Sequence, residues 1–253
     1  MRSLQFSAWP IDRSRGLLIL SGTLVLLGIA GFIAVYSMVH TGGGLASLDR
    51  LAFQDLLRQR SRGWTIFFAV ISTLGSPPWL ASIVLISAGL WLLISRDWWR
   101  PMLWVAAMAL GAATSNIIKH LVGRRRPPLV DMATGANHSF SFPSGHTLGI
   151  SIFILALGYL LLSRKFSRLK LLLWIVSAAL LISLMALSRM YLGYHWLTDI
   201  SASIPIAVFF LGVLIAVDVF RPRRADVPLR KSSKPAAESI DRQPPPQETP
   251  DQR

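Results

Sequence analysis

The stretch LLILSGTLVLLGIAGFIAVYSMV, residues 17–39, carries no charge and is long enough to cross a hydrocarbon layer, which is about 30 Å thick. It follows a basic start that holds Arg2, Arg13 and Arg15. A secretory signal would have a shorter apolar region closed by a small-residue cleavage pattern, so this run reads as an uncleaved first span. The rest of the chain agrees: of 253 residues, 53% are hydrophobic and only 15% charged. That is the composition of an integral membrane protein.

The apolar pattern recurs along the chain. Residues 64–95 are interrupted by Gly-Ser-Pro-Pro at 75–78. The run before this break is too short to span, so 64–75 is expected to be an interfacial or partial helix and 78–95 the second span. Further spans are expected at 101–119, with Pro101 at a favoured first-turn position, and at 146–163, 171–188 and 199–220. The expected fold is all-α, a six-transmembrane-helix bundle. Residues 1–16 form an N-terminal segment, 17–220 the membrane domain, and 221–253 a Pro-rich charged tail that cannot bury a core.

Six spans put both chain ends on one side of the membrane. The N-terminal segment, the 96–100 turn, the 163–170 loop and the tail hold 17 of the 26 Lys and Arg residues, so these segments are expected to be cytoplasmic. The net charge of +14 is not matched by a basic helix standing apart from the spans, which argues against nucleic acid and for lipid headgroups. Cysteine is absent, which excludes disulfides and thiolate metal sites.

Four cations break the charge bias at the outer end of the third span, in KHLVGRRRPP at 119–128. Two further segments reach the same face. SFSFPSGH at 139–146 places Ser144, Gly145 and His146 where a helix begins, and a helix N-terminus points unpaired N–H groups at an anion. SRMYLGYHWLTDI at 188–200 brings Arg189, His195 and Asp199. His195 and Asp199 are four apart; if the sixth span begins near Tyr194, they lie one turn apart on one helix face, where the carboxylate orients the imidazole. Two histidines, one backed by an aspartate, together with fixed cations and a helix N-terminus, suit the transfer of a phosphoryl group.

Lys119-x6-Arg126-Pro127, Pro143-Ser144-Gly145-His146 and Ser188-Arg189-x5-His195-x3-Asp199 together resemble the three-part signature of the type 2 phosphatidic acid phosphatase and vanadium haloperoxidase superfamily. The resemblance covers about residues 17–218. It implies a metal-independent membrane phosphatase with no cofactor, whose active site lies at the outer membrane-water interface of a bacterial plasma membrane. It further implies that His195 is a nucleophile forming a phosphohistidine, that Asp199 orients it and that His146 is the general acid. Lys119, Arg126, Ser144, Gly145 and Arg189 would hold the phosphate.

The substrate is then a membrane lipid phosphate. Undecaprenyl pyrophosphate is the first expectation, because Arg124 and Arg125 beside Arg126 could meet a second phosphate. Phosphatidylglycerophosphate, phosphatidate and lipid A phosphates also fit, as does phosphotransfer in place of hydrolysis. A transporter or receptor for anionic lipids would use the same cations but needs no oriented nucleophile. His40, His120 and His138 match no part of the signature, and the nine tryptophans suit an interfacial belt. Glu238 and Glu248 lie in the tail, too few and too remote for a two-metal site.

Overall fold

The computed structural model describes residues 11–95, 97–163 and 167–221. The tail beyond 221 and the first ten residues of the chain lie outside them. The described residues form eight α-helices and one short 3-10 turn. Six helices are long and apolar enough to cross a membrane: α1 (Ile11–Thr41), α4 (Pro77–Ser95), α5 (Trp99–Val122), α6 (Gly145–Leu162), α7 (Arg168–Tyr191) and α8 (Leu197–Phe220). They match the six expected spans: five are extended by one or more residues and α6 is shifted by one. The expected partial helix before Gly75 is α3 (Arg62–Leu74), which ends where Gly-Ser-Pro-Pro breaks the pattern.

One helix was not expected. Residues Leu45–Arg58 form α2, an amphipathic helix too short and too charged for a hydropathy reading. Its buried residues, Asp49 and Phe53, are one turn apart, so one face is turned inward although it carries a carboxylate.

Packing singles out α6 and α8 as the central helices. Half of the span window in each is buried within the protein, against 17–28% in the other four, which leaves those four facing lipid. Leu148, Ile152, Ala156 and Leu160 repeat every four residues along α6 and meet Ile206, Ala207, Phe210 and Leu214 of α8, with Trp104 and Ala107 of α5. Small residues bring α1 onto α8. A Cβ on Gly28 would lie 2.7 Å from the Phe209 nitrogen and the Pro205 oxygen, and one on Gly212 would lie 2.8 Å from the Ser21 oxygen. The Ser21 hydroxyl donates to the Gly212 carbonyl at 2.9 Å across this contact. Close backbone approach of this kind is how helices associate in lipid.

Alternation of the six spans gathers the ends of α1, α5 and α7, the starts of α4, α6 and α8, and both short helices at one membrane face. The opposite end holds a charged and aromatic network. Asp218 accepts from Trp99 Nε1 and from the Tyr159 hydroxyl, both at 3.0 Å, and pairs with Arg100 at 3.8 Å. Arg221 stacks over Trp98 and Trp99.

Candidate active site

The link from α7 to α8 makes a sharp turn at Gly193, whose φ is +84°. A side chain there would be strained, and its Cβ would run into the Asp131 carbonyl oxygen. The turn delivers His195, which is 1% exposed, just ahead of α8. His195 therefore does not sit on the helix face beside Asp199, as its spacing suggested, because α8 starts only at Leu197. Asp199 instead reaches back over its own helix N-terminus. Its Oδ2 accepts the Trp196 N–H at 2.9 Å and meets His195 Nδ1 at 3.3 Å. An acid in the first turn caps the free backbone donors, and this capping sets the carboxylate against the preceding imidazole.

The protonation of His195 can be read from its neighbours. Arg126 Nη1 lies 3.2 Å from His195 Nε2. A guanidinium only donates, so Nε2 is the accepting nitrogen and Nδ1 carries the proton shared with Asp199. Burial, reinforced by Arg126, Arg189 and Lys119, holds the His195 pKa well below the usual 6.5 and keeps the ring neutral. The remaining donors of Arg126 go to the Tyr194 carbonyl at 2.7 Å and to the carbonyl and hydroxyl of Ser139 at 2.8 and 3.0 Å.

The start of α6 supplies the second histidine. Ser144 is the N-cap, and its hydroxyl accepts from the Thr147 N–H at 3.5 Å and the Thr147 hydroxyl at 3.1 Å. Ser144 is fully buried, so its side chain serves the helix rather than an open site. The Ser144 N–H donates to the Asp199 carbonyl at 3.1 Å, and the Ser203 hydroxyl donates to the Ser144 carbonyl at 3.0 Å. These bonds lock the start of α6 to the first turns of α8. Gly145 and His146 follow at the first helical positions, where backbone N–H groups have no intrahelical partner. His146 is coupled electrostatically to Arg189, His195, Arg126 and Lys119, which brings both histidines and three cations to one place.

Lys119, in the last turn of α5, donates to the Phe140 carbonyl at 2.9 Å. Arg189, near the end of α7, donates to the Ser72 hydroxyl of α3 and lies 4.2 Å over the Tyr194 ring. Its Nε is buried and finds no acceptor among the described residues. A cavity of about 280 Å³ adjoins His146 and is bordered by Ser72, Thr73, Trp79 and Thr134.

A family model for the PAP2 superfamily matches residues 100–223, the segment that holds every one of these motif residues. The chain belongs to the PAP2 superfamily. With six spans and this constellation at one membrane face, it is a membrane lipid phosphatase of that superfamily. Among PAP2 relatives, phosphatidylglycerophosphatase B of Bacillus subtilis (strain 168) is 26% identical over 185 residues, covering 71% of this chain and 88% of that protein. The fold is also similar to the crystal structure of a transmembrane PAP2 type phosphatidylglycerolphosphate phosphatase from Bacillus subtilis. That match has a TM-score of 0.69 and 20% identity, and it covers 78% of this chain and 98% of that one.

One residue of this PAP2 site, Asp49, escaped the sequence reading, and another, Arg124, has different partners from those expected. Arg124, expected to meet a second phosphate, instead pairs with Asp199 at 2.5 Å and with Asp49 of α2 at 2.6 Å. Arg125 points outward and is exposed, while its carbonyl accepts from Trp196 Nε1 at 3.0 Å. Asp49 had no expected part. The signal was an acid on the apolar stripe of residues 45–56, visible only once that segment is read as a helix. Among the described residues there is no group of three or more His, Asp or Glu that could hold a metal.

Proposed function

We propose that the chain hydrolyses a lipid phosphate monoester of the phosphatidylglycerophosphate class, without metal, through a phosphohistidine on His195. The observation that carries this reading is the state of His195: a buried, neutral imidazole with Nδ1 on Asp199 and Nε2 turned toward three cations. A binding protein has no use for an oriented, uncharged nucleophile at the centre of a cation cluster.

In the first step the Nε2 lone pair attacks phosphorus, and the bond to the lipid oxygen breaks as His146 gives that oxygen a proton. Lys119, Arg126, Arg189 and the free N–H groups at the start of α6 carry the charge on the phosphoryl oxygens. Arg126 gives up its contact with Nε2 to do so, and the unspent Nε of Arg189 gains an acceptor. Asp199 balances the positive charge that the phosphorylated ring acquires. In the second step His146 takes a proton from water, which attacks phosphorus, and the phosphorus–nitrogen bond breaks to release phosphate and neutral His195.

The monoester is favoured over a pyrophosphate on two grounds. The pyrophosphate reading needed Arg124 and Arg125 for a second phosphate, and Arg124 is spent on two buried carboxylates. The matched relative is a phosphatidylglycerophosphatase by name. The cation bias further supports a plasma-membrane protein with both ends cytoplasmic and the site on the outer face.

Phosphate release by the purified protein in detergent tests the reading, with phosphatidylglycerophosphate, phosphatidate and undecaprenyl pyrophosphate compared in the presence of EDTA. The expected result is the highest kcat/KM on phosphatidylglycerophosphate, unchanged by the chelator. A preference for undecaprenyl pyrophosphate would overturn the substrate assignment. Loss of activity with EDTA, restored by one divalent ion, would overturn the metal-free mechanism.

A further inference from the structure

We infer that Arg124 and Asp49 are positioning residues for catalysis: they hold the Asp199 carboxylate in the orientation that sets the tautomer and direction of His195. The inference rests on the proposed role of His195.

The network is closed and almost fully buried. Asp199 is 0% exposed and divides its two oxygens between two tasks. Oδ2 faces His195 Nδ1 and the Trp196 N–H, whereas Oδ1 takes Arg124 Nη1 at 2.5 Å and the Ser141 hydroxyl at 3.4 Å. The other terminal nitrogen of Arg124, Nη2, donates to Asp49 Oδ2 at 2.6 Å. Asp49 returns to α8 through Thr198, accepting its N–H at 2.9 Å on Oδ1 and its hydroxyl at 2.7 Å on Oδ2. Arg124 Nη1 also donates to that hydroxyl at 2.7 Å.

This arrangement has a chemical purpose beyond holding helices together. The planar fork of Arg124 fixes the rotation of the Asp199 carboxylate, because one terminal nitrogen grips Oδ1 while the other is anchored on a different helix. Rotation of that carboxylate would take Oδ2 away from His195 Nδ1 and release the tautomer that leaves Nε2 free to attack. α2 also becomes part of the site. Its one buried acid caps the N-terminus of α8 from outside, at a helix whose own N-cap, Trp196, makes no side-chain cap bond. Neither residue belongs to the three-part signature, and the side-chain hydrogen bonds of both go to Asp199, Thr198 and each other.

Kinetics on the full-length protein in detergent tests the inference, using phosphatidate and phosphatidylglycerophosphate, with Tm recorded for every variant. Arg124→Ala and Asp49→Asn should lower kcat by about tenfold to a hundredfold, by analogy with the partners that orient ligating side chains in metal sites, while KM stays within about twofold because neither residue is assigned to phosphate binding. Arg126→Ala should instead raise KM. Arg124→Lys keeps the charge but not the fork and should recover only part of kcat; should Arg124→Ala fail to fold, Arg124→Lys and Asp49→Asn carry the test. In an Asp199→Asn background, Arg124→Ala should add little further loss, since both act through one carboxylate. Unchanged kcat, a rise in KM alone, or losses that multiply fully with Asp199→Asn would overturn the inference. Full activity in His195→Ala or Asp199→Asn would instead overturn the catalytic reading on which it rests.

Discussion

At the scale of single residues, the site depends on a histidine kept neutral by its surroundings. His195 is 1% exposed and sits among Arg126, Arg189 and Lys119, so its charged form is disfavoured in the folded protein. In the unfolded chain the same ring titrates near the ordinary value of about 6.5. Below that pH the unfolded state binds a proton that the folded state refuses, so the stability contributed by neutral His195 is complete above 6.5 and is lost as the pH falls. The slope is at most about 1.4 kcal/mol per pH unit for one proton. Thermal unfolding in detergent between pH 7 and 5.5 should show a falling Tm in the wild type and a smaller fall in His195→Gln. Identical slopes would mean that the ring is not buried neutral. The motif residues themselves were legible, because Lys119, Arg126, His146, Arg189, His195 and Asp199 carry a spaced pattern. The partnership of Arg124 with Asp49 was not, since 75 positions separate the two and only the fold brings them together.

At the scale of helices, α8 is the element that must stay in place, because its first turn carries Asp199 and its length meets both α1 and α6. The contact with α1 is made backbone to backbone at Gly28 and Gly212. Gly212→Leu forces a side chain into that contact, and overpacking of this kind costs about 1–3 kcal/mol. A lowered Tm together with lowered activity is expected, although Gly212 lies far along α8 from His195; a wild-type Tm would show that the two helices do not pack this closely. The six spans could be read from the chain because uninterrupted apolar length is a strong signal. The Gly-Ser-Pro-Pro break likewise marked the end of α3. α2 stayed hidden because Asp49, Arg50, Asp55 and Arg58 dilute its hydropathy, while its one-sided burial emerges only from packing against α8 and α7. The sixth span was expected at 199–220, and its start at Leu197 leaves His195 ahead of the helix, where Asp199 acts as a capping acid and not as a helix-face partner of His195.

At the scale of the whole molecule, the helix ends divide into a catalytic face and a face held by Arg100, Asp218 and the tryptophans around them. The orientation proposed from the charge bias puts the second face in the cytoplasm. The natural absence of cysteine makes this simple to check with single introduced thiols. Ala136→Cys, on the exposed loop before α6, should react with a membrane-impermeant reagent in intact cells, and Arg168→Cys, at the start of α7, should react only after permeabilisation. The reverse pattern would place the site in the cytoplasm. The most direct test of the chemistry is a quench of the purified enzyme during turnover of a lipid substrate labelled at its phosphate. The account predicts a base-stable, acid-labile phosphoenzyme with the label on His195, present in the wild type and missing in His195→Ala. Label on any other residue, or a labelled His195→Ala protein, would contradict it.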